Sequence, residues 1–344
     1  MSTLAEAVRE VAEASGFSGV LRVDRRGEPP LVQLHGLADR AHGVALTEGT
    51  RIGVASGAKG FTALTVMRLV EDGLLTLGTF ARDLLRDDLP LVDDVVTVEQ
   101  LLAHRSGIGD YLDESQGLDL DAHLLPVPVQ DLATAESYLA VLGGHPQEFP
   151  PGSDFAYCNG GYVVLALLAE RAAGVPFHHL VRSHVIDRAG LTGTAYLRSD
   201  ALPGDAALGY LHAEGDPDQL RTNVLHLPVV GGGDGGIFTT AADLVSLWRA
   251  LDEGRVVAPE TWAEMRRLRS VTDDRGYGLG FWLEGDAVYL TGSDTGASFV
   301  TQHVPGRVTW SVLGNTTKGA WPVVRRLDEL LRVSGPGDAD SPFG

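Results

Sequence analysis

Hydrophobic residues follow two different periods along this chain of 344 residues. Near the N-terminus they recur on one side of a helix that we predict over residues 1–15, since positions three and four apart share a helix face. Two short apolar stretches follow at residues 17–23 and 30–34, separated by Arg25-Arg26-Gly27-Glu28. Their length and the polar turn between them predict two strands of a hairpin.

The middle of the chain is mainly helical in pattern. Residues 56–72 are apolar on most sides, which is typical of a buried helix. Shorter helical patterns, separated by glycine and proline, lie at residues 97–104, 129–142, 160–173, 176–189, 240–251 and 259–268.

The pattern becomes β-like again near the C-terminus. Short β-branched and aromatic stretches at 277–283, 287–291, 298–304 and 308–313 alternate with turn residues and predict four strands. A closing helix is predicted over residues 322–333, and the polar, glycine-rich residues 334–344 predict a disordered tail.

Strands at both ends and helices between them predict an α/β (α+β) fold. The simplest arrangement is an antiparallel sheet from both termini, flanked by helices, with a mainly helical domain inserted. We place the sheet domain at residues 1–72 and 270–333 and the helical domain at residues 73–269. The two chain termini are then expected to lie close together.

Composition narrows the possible partners. A formal net charge of −19 argues against nucleic acid or an anionic membrane. The single cysteine, Cys158, excludes an intrachain disulfide and a thiolate metal cluster. The N-terminus lacks the pattern of a signal peptide and no run of 18 apolar residues occurs, which predicts a soluble, cytoplasmic protein without a membrane partner.

Two motifs that could indicate a cofactor or a metal lack the context they need. The glycines at 231, 233 and 236 match a dinucleotide fingerprint, but helices rather than a βαβ unit are predicted after them. His178, His179 and His184 have neither metal-ligand spacing nor a third ligand, so we interpret them as surface histidines. We therefore predict no cofactor and no metal.

Ser56 and Lys59 are the first candidates for chemistry. They lie three residues apart, hence on one face of the predicted helix, where the helix N-terminus favours developing negative charge. Of 27 basic residues only Lys59 and Lys318 are lysine, and lysine, unlike arginine, can give up its proton. The local pattern leaves a second interpretation open, a serine cap and a surface lysine.

Two further clusters are ambiguous when each is taken alone. Tyr157 and Asn159, two apart in an extended loop, offer a phenol that can relay a proton and an amide that can hold a lysine or a carbonyl. Thr291 and Gly292 lie on a predicted strand, where glycine permits close approach of a substrate to the backbone. Each cluster is also compatible with an ordinary turn.

The order of these motifs along the chain resembles that of the penicillin-recognising serine hydrolases, in the branch with class C β-lactamases, D-alanyl carboxypeptidases, D-aminopeptidases and β-lactamase-like esterases. LLAHRSG at 101–107, PPGSDFAYCN at 150–159 and GGDGGIFTTAAD at 232–243 resemble other segments of that family. The resemblance implies the β-lactamase-like fold and an acyl-enzyme mechanism.

The resemblance also implies roles for individual residues. Ser56 would be acylated and Lys59 would take its proton, directly or with Tyr157. Tyr157 would pass the proton to the leaving group, and Asn159 would hold Lys59 and contact the substrate. The N–H groups of Ser56 and Ser293 would polarise the substrate carbonyl.

Leu290 departs from the family pattern, which has lysine or histidine before the Thr-Gly pair. Leucine cannot bind the carboxylate of a penicillin or a D-Ala-D-Ala peptide, so we expect weak activity on either. The sequence predicts an esterase or amidase for a small molecule, with acyl transfer to an alcohol or amine as a variant. A non-catalytic binding or sensor protein is the alternative, and no oligomeric state is assigned.

Overall fold

A computed structural model describes residues 3–113, 119–213, 216–272 and 275–331. The predicted tail at 334–344 and the end of the predicted closing helix lie outside the described residues.

Eleven α-helices are present in the described part of the chain. They are α1 Leu4–Ala14, α2 Ala58–Glu71, α3 Ala81–Leu85, α4 Val98–Leu102, α5 Leu139–Leu142, α6 Asn159–Ala173, α7 Phe177–Val181, α8 Asp187–Ala189, α9 Ala241–Asp252, α10 Pro259–Met265 and α11 Trp321–Leu331.

Fifteen strands are described. They are β1 Gly19–Arg25, β2 Leu31–His35, β3 Leu37–Asp39, β4 Val44–Ala45, β5 Ile52–Gly53, β6 Ala195–Tyr196, β7 Tyr210–Ala213, β8 Asp216–Thr222, β9 Ile237–Thr239, β10 Ser270–Thr272, β11 Arg275–Tyr277, β12 Trp282–Glu284, β13 Ala287–Asp294, β14 Ala297–Val304 and β15 Val308–Gly314.

The main sheet joins the two ends of the chain, as predicted. Its eight antiparallel strands run in the order β10-β11-β12-β13-β14-β15-β1-β2. The N-terminal hairpin continues the C-terminal meander, and Gly19 pairs with Gly314 across the junction of β1 and β15. The sheet and its flanking helices confirm the predicted fold class, while the domain boundaries remain a prediction.

Helices cover both faces of this sheet, because successive strand residues point to opposite faces. On β15, Trp310 and Val312 pack with α1 and α11. Leu313, on the other face, belongs to the larger core that contains α2, α6 and α9. Helix α2 is buried along 11 of its 14 residues, which explains why its sequence is apolar on most sides.

Two predicted elements are wrong in detail. Residues 129–142 form two 3₁₀ turns and the short α5, because the Ser137 hydroxyl accepts N–H groups of Ala133 and Thr134 in competition with a helix. Residues 277–283 form two strands with a bend at Gly280, whose φ is +89°. The helix predicted over residues 176–189 is confirmed, and it contains a π-helical turn, Arg182–Ile186. The inserted region also contributes strands to two small sheets, β7-β8 and β5-β9-β6, of which β5 comes from the sequence before α2.

No single helix among the described residues is long and apolar enough to cross a membrane. Two consecutive stretches, Asn159–Ala173 and Phe177–Ala189, pass that test only as a pair, which bends by 85° at its break.

Candidate active site

Ser56 lies on a strained turn between β5 and α2. The 3₁₀ turn Ala55–Gly57 carries it, so α2 begins two residues later than the sequence predicts. Ala55 has a φ of +45°, a conformation that costs free energy in a residue other than glycine and is concentrated at functional sites. The turn places the Ser56 hydroxyl at the junction of two pockets.

Lys59 points back from the first turn of α2 to Ser56. Its Nζ lies 3.0 Å from Ser56 Oγ, 2.7 Å from Asn159 Oδ1 and 3.0 Å from the main-chain oxygen of Asp234. The side chain is only 2% exposed, so the structure does not support a surface lysine. The three hydrogen-bond partners of the amine are all uncharged oxygen atoms.

Tyr157 and Asn159 meet the same amine from the loop that leads into α6. Asn159 is the first residue of α6, and its Nδ2 donates to the Leu112 main-chain oxygen while its Oδ1 faces Lys59. The ring centroid of Tyr157 lies 4.9 Å from Lys59 Nζ, and the ring stacks on Trp282 with centroids 6.1 Å apart. The structure thus brings together the four residues predicted to be catalytic.

Asp110 fixes Asn159 and was not identified in the sequence. Its carboxylate accepts the N–H groups of Asn159 and Gly160 at 2.7 and 2.8 Å, which caps the start of α6. Burial raises the pKa of Asp110 to about 6, although these N–H groups and that of Leu112 oppose the shift. The sequence feature that could have identified Asp110 is its position three residues after the segment LLAHRSG, which resembles a segment of the family.

His104, in that same segment, supports Tyr157. It adopts a left-handed conformation with φ of +55°. Its Nδ1 accepts the Cys158 N–H at 3.0 Å, and its ring centroid lies 4.4 Å from that of Tyr157. Burial, helped by the positive charge of Lys59, lowers the pKa of His104 well below its ordinary value, which keeps the imidazole neutral.

The glycine-rich segment after β8 is anchored by side chains at consecutive main-chain carbonyl groups. Every main-chain oxygen from 230 to 234 accepts a hydrogen bond from a side chain, at 2.6 to 3.0 Å. The donors, in order, are Tyr138, His178, Tyr196, Thr62 and Lys59. The interpretation of His178 as a surface histidine is therefore wrong, because its ring is half-buried and anchors this segment.

Strand β13 borders Ser56 with an open edge. Among the described residues, β12 pairs with β13 only as far as Tyr289, so the stretch from Leu290 has a strand partner on one side only. A Cβ atom on Gly292 would lie 2.7 Å from the Ser56 amide nitrogen. Thr291, Gly292 and Ser293 line the open cleft next to Ser56, where the predicted role of the Ser293 N–H stays a prediction.

Leu290 does not line either pocket. It is 3% exposed, and its two methyl groups lie 2.7 and 2.8 Å from where a Cβ on Gly60 would be. Its effect on substrate choice stays a prediction. His303 does not replace the missing cation, because it hydrogen-bonds Asp252 at 2.9 Å and stacks on Trp248.

Two pockets meet at Ser56 and differ in chemistry. The enclosed pocket has a volume of about 100 Å³ and is bordered by leucines together with Asp234 and Asp294. The open cleft, about 590 Å³, is bordered by the aromatic residues Tyr157 and Trp282 and by charges of both signs, from Arg275 and from Asp110, Asp113 and Glu148. Neither Asp234 nor Arg275 was identified in the sequence.

No metal site is evident in the parts of the chain that the structure describes. They contain no group of three or more histidine, cysteine, aspartate or glutamate side chains placed to hold an ion. The predicted absence of a cofactor remains a prediction.

The sheet and its flanking helices together define a β-lactamase-like fold, which is the fold of a family of serine hydrolases. The chain belongs to the Beta-lactamase family, whose model matches residues 4–333.

Known relatives agree with this assignment. The chain is 28% identical to esterase EstB of Burkholderia gladioli, over 89% of this chain and 82% of the esterase. It is 31% identical to penicillin-binding protein 4 of Amycolatopsis lactamdurans, over 74% of this chain and 66% of that protein. The crystal structure of a penicillin-binding protein from Bacillus halodurans superposes with a TM-score of 0.87 at 32% identity, covering 94% of this chain and all of that one.

Proposed function

We propose that the protein is a serine hydrolase that forms an acyl-enzyme on Ser56 with a small ester or amide. The observation that carries this proposal is the 3.0 Å contact between Ser56 Oγ and the buried Nζ of Lys59, at the point where both pockets open. A nucleophile and a base at hydrogen-bond distance, with the base oriented by a third group, are the structural requirement for this chemistry. Asn159 is that third group.

The acylation step follows from these contacts. Ser56 Oγ bonds to the substrate carbonyl carbon while its proton passes to Lys59 Nζ. The tetrahedral intermediate then collapses and the bond to the leaving oxygen or nitrogen breaks. The proton that Lys59 accepted is relayed through Tyr157 to the leaving group, which returns both side chains to their starting protonation. The N–H groups of Ser56 and Ser293 would stabilise the oxyanion.

Deacylation follows the acylation steps in reverse, with water in place of the leaving group. Water loses a proton as its oxygen attacks the acyl carbon, and Ser56 leaves with a proton restored to Oγ. The open cleft beside Tyr157 gives that nucleophile access. An alcohol or amine entering there would give acyl transfer in place of hydrolysis.

Turnover of p-nitrophenyl butyrate tests the proposal. The wild type should release p-nitrophenol, and Ser56→Ala should reduce the rate to that of buffer. Ser183→Ala, which removes an exposed serine hydroxyl, should be unaffected. A folded wild type that turns over neither esters nor amides would contradict the proposal and favour a non-catalytic binding or sensor protein.

A further inference from the structure

The enclosed pocket contains more negative charge than an apolar acyl group needs. Asp234 lies in its wall and is only 7% exposed. Asp234 Oδ2 accepts a hydrogen bond from the Tyr111 hydroxyl at 2.6 Å. Its other carboxylate oxygen has no hydrogen-bond partner among the described residues. A buried carboxylate is costly unless a donor or a cation compensates it.

Asp234 is also close to the reacting atoms. Its main-chain oxygen accepts a hydrogen bond from Lys59 Nζ, which in turn contacts Ser56 Oγ. The amine of Lys59 therefore links the main chain of Asp234 to the nucleophile. It does not use the Asp234 carboxylate, whose Oδ1 remains available to the pocket.

Asp294 adds a second carboxylate to the same wall. It ends β13, two residues after Gly292, and its Oδ2 lies 3.9 Å from where a Cβ on Gly235 would be. Both carboxylates act on Tyr138, which borders the pocket. Burial raises the pKa of the Tyr138 phenol well above its ordinary value, and the charges of Asp234 and Asp294 raise it further.

Asn315 provides an independent acceptor in the same pocket. It is 2% exposed, and its Nδ2 donates to the main-chain oxygens of Leu37 and Leu208. Its Oδ1 is buried without a hydrogen-bond partner. An unpartnered buried oxygen that lines a pocket requires a donor from a ligand or from water.

The remaining lining matches an apolar group. Among the described residues that line the pocket none is arginine or lysine, and His123 and His226 are the only titratable nitrogen groups. Burial lowers the pKa of His123, which favours its neutral form. Leucines make up much of the rest: Leu112, Leu120, Leu125, Leu197, Leu202, Leu208 and Leu227.

We propose that Asp234 and Asp294 form a subsite for a substrate ammonium group. The substrate acylating Ser56 is then an ester or amide of an amino acid, with a free, protonated amine next to the carbonyl and an apolar side chain among the leucines. This inference rests on the proposed hydrolase function for its chemistry, whereas binding of the amine does not.

Binding to Ser56→Ala protein tests the subsite without turnover. Each enantiomer of phenylalaninamide should be compared with 3-phenylpropanamide, which lacks only the amine, by calorimetric titration. The better enantiomer should bind at least about tenfold more tightly than the neutral amide, the effect of a charge-assisted hydrogen bond. Equal affinities, or no binding of any of the three amides, would overturn the subsite.

Charge-neutral variants then locate the effect. Adding Asp234→Asn or Asp294→Asn to Ser56→Ala should remove most of the tenfold preference. Asp286→Asn, which removes the same charge from an exposed turn, should retain it. A preference unchanged in both pocket variants would overturn the assignment to these carboxylates.

Catalysis distinguishes failure of the subsite from failure of the hydrolase. The ratio of kcat/KM for phenylalanine methyl ester to that for methyl 3-phenylpropionate should exceed about ten in the wild type and fall about tenfold in Asp234→Asn. Turnover of both esters at a ratio near one would overturn the subsite and leave the hydrolase. Preferential binding without turnover of either ester would contradict the hydrolase alone.

Discussion

Lys59 and Gly60 are neighbours on α2, yet their surroundings are opposite in character. The surroundings of Lys59 are polar, with oxygens of Ser56, Asn159 and Asp234 within 3.0 Å of its amine. The surroundings of Gly60 are apolar, because it lies against the methyl groups of Leu290. One residue step along a helix turns a side chain by roughly 100°, so adjacent positions can serve different layers.

Under the proposed function, this difference separates the reacting groups from the groups that would select a substrate. The polar surroundings orient the Lys59 amine towards the Ser56 hydroxyl. The apolar surroundings of Gly60 contribute packing and no charge, so we expect residues further from α2 to select the substrate. The enclosed pocket is lined by Asp234 and Asp294, whereas the open cleft is lined by Arg275 and by the acidic residues Asp110, Asp113 and Glu148.

The largest effect is expected from Lys59→Arg. Arginine keeps the positive charge but cannot accept the serine proton, so kcat/KM for p-nitrophenyl butyrate should fall by about 10²–10⁴-fold, the contribution of general base catalysis. Lys318→Arg, at the exposed second lysine, is the matched control and should retain full activity. An active Lys59→Arg protein would show that Lys59 acts through its charge only.

Leu290→Lys should disrupt the apolar packing between Leu290 and Gly60. Burying an ammonium group against Gly60 should lower the free energy of unfolding by about 2–4 kcal/mol. Leu290→Met, which keeps the volume and polarity, should lower it by less than about 1.5 kcal/mol. Urea denaturation measures both. If Leu290→Lys is as stable as Leu290→Met and is acylated faster by a penicillin, the ammonium reaches the cleft and the packing interpretation is wrong.

Gly292→Ala tests the close approach of β13 to the nucleophile. The new methyl group would lie 2.7 Å from both the Ser56 amide nitrogen and the Val54 carbonyl oxygen. Displacement of these backbone atoms should reduce kcat by about ten- to a hundredfold. The larger value, about a hundredfold, is the loss expected when one hydrogen-bond donor to the oxyanion is removed completely. Gly204→Ala, at a glycine with open space around it, should leave kcat unchanged.

Asp110 should give the smallest effect, a change in pH dependence. Above about pH 6 its carboxylate is ionised and accepts the Asn159 N–H group, so kcat/KM should fall as the pH drops through 6. Folding raises this pKa, and the associated stability is present below the unfolded pKa of 3.8 and lost as pH rises through about 6.

Acidification from pH 6 to pH 4 should therefore lower activity while the contribution of Asp110 to stability increases. In Asp110→Asn the acid limb near pH 6 should disappear from the profile of kcat/KM. An unchanged acid limb in this variant would assign that titration to another group.

The sequence predicted what depends on local pattern. The sheet from both termini followed from the strand-like periods at the two ends, and Ser56, Lys59, Tyr157 and Asn159 followed from motif order. Lys59 and Asn159 are one hundred residues apart, and their contact is a property of the tertiary packing of α2 on α6. Only the resemblance to a family, not the periodicity, could anticipate it.

The sequence could not predict what depends on side-chain direction in three dimensions. Leu290 occupies the expected position on its strand, yet its side chain packs on Gly60. Asp234 is one acidic residue among 46 in the chain, and its importance comes from a main-chain contact with Lys59. His178 belongs to a histidine cluster with no metal pattern, and its role lies in an acceptor 53 residues away.

Covalent labelling shows whether Ser56 is the nucleophile of this protein. Intact protein should be incubated with a fluorophosphonate probe and its mass measured for the wild type, Ser56→Ala and Ser183→Ala. We expect one adduct on the wild type and on Ser183→Ala, mapped to Ser56 by peptide mass spectrometry, and no adduct on Ser56→Ala. An unlabelled wild type, or an equal adduct on Ser56→Ala, would contradict the assignment of Ser56 as the nucleophile.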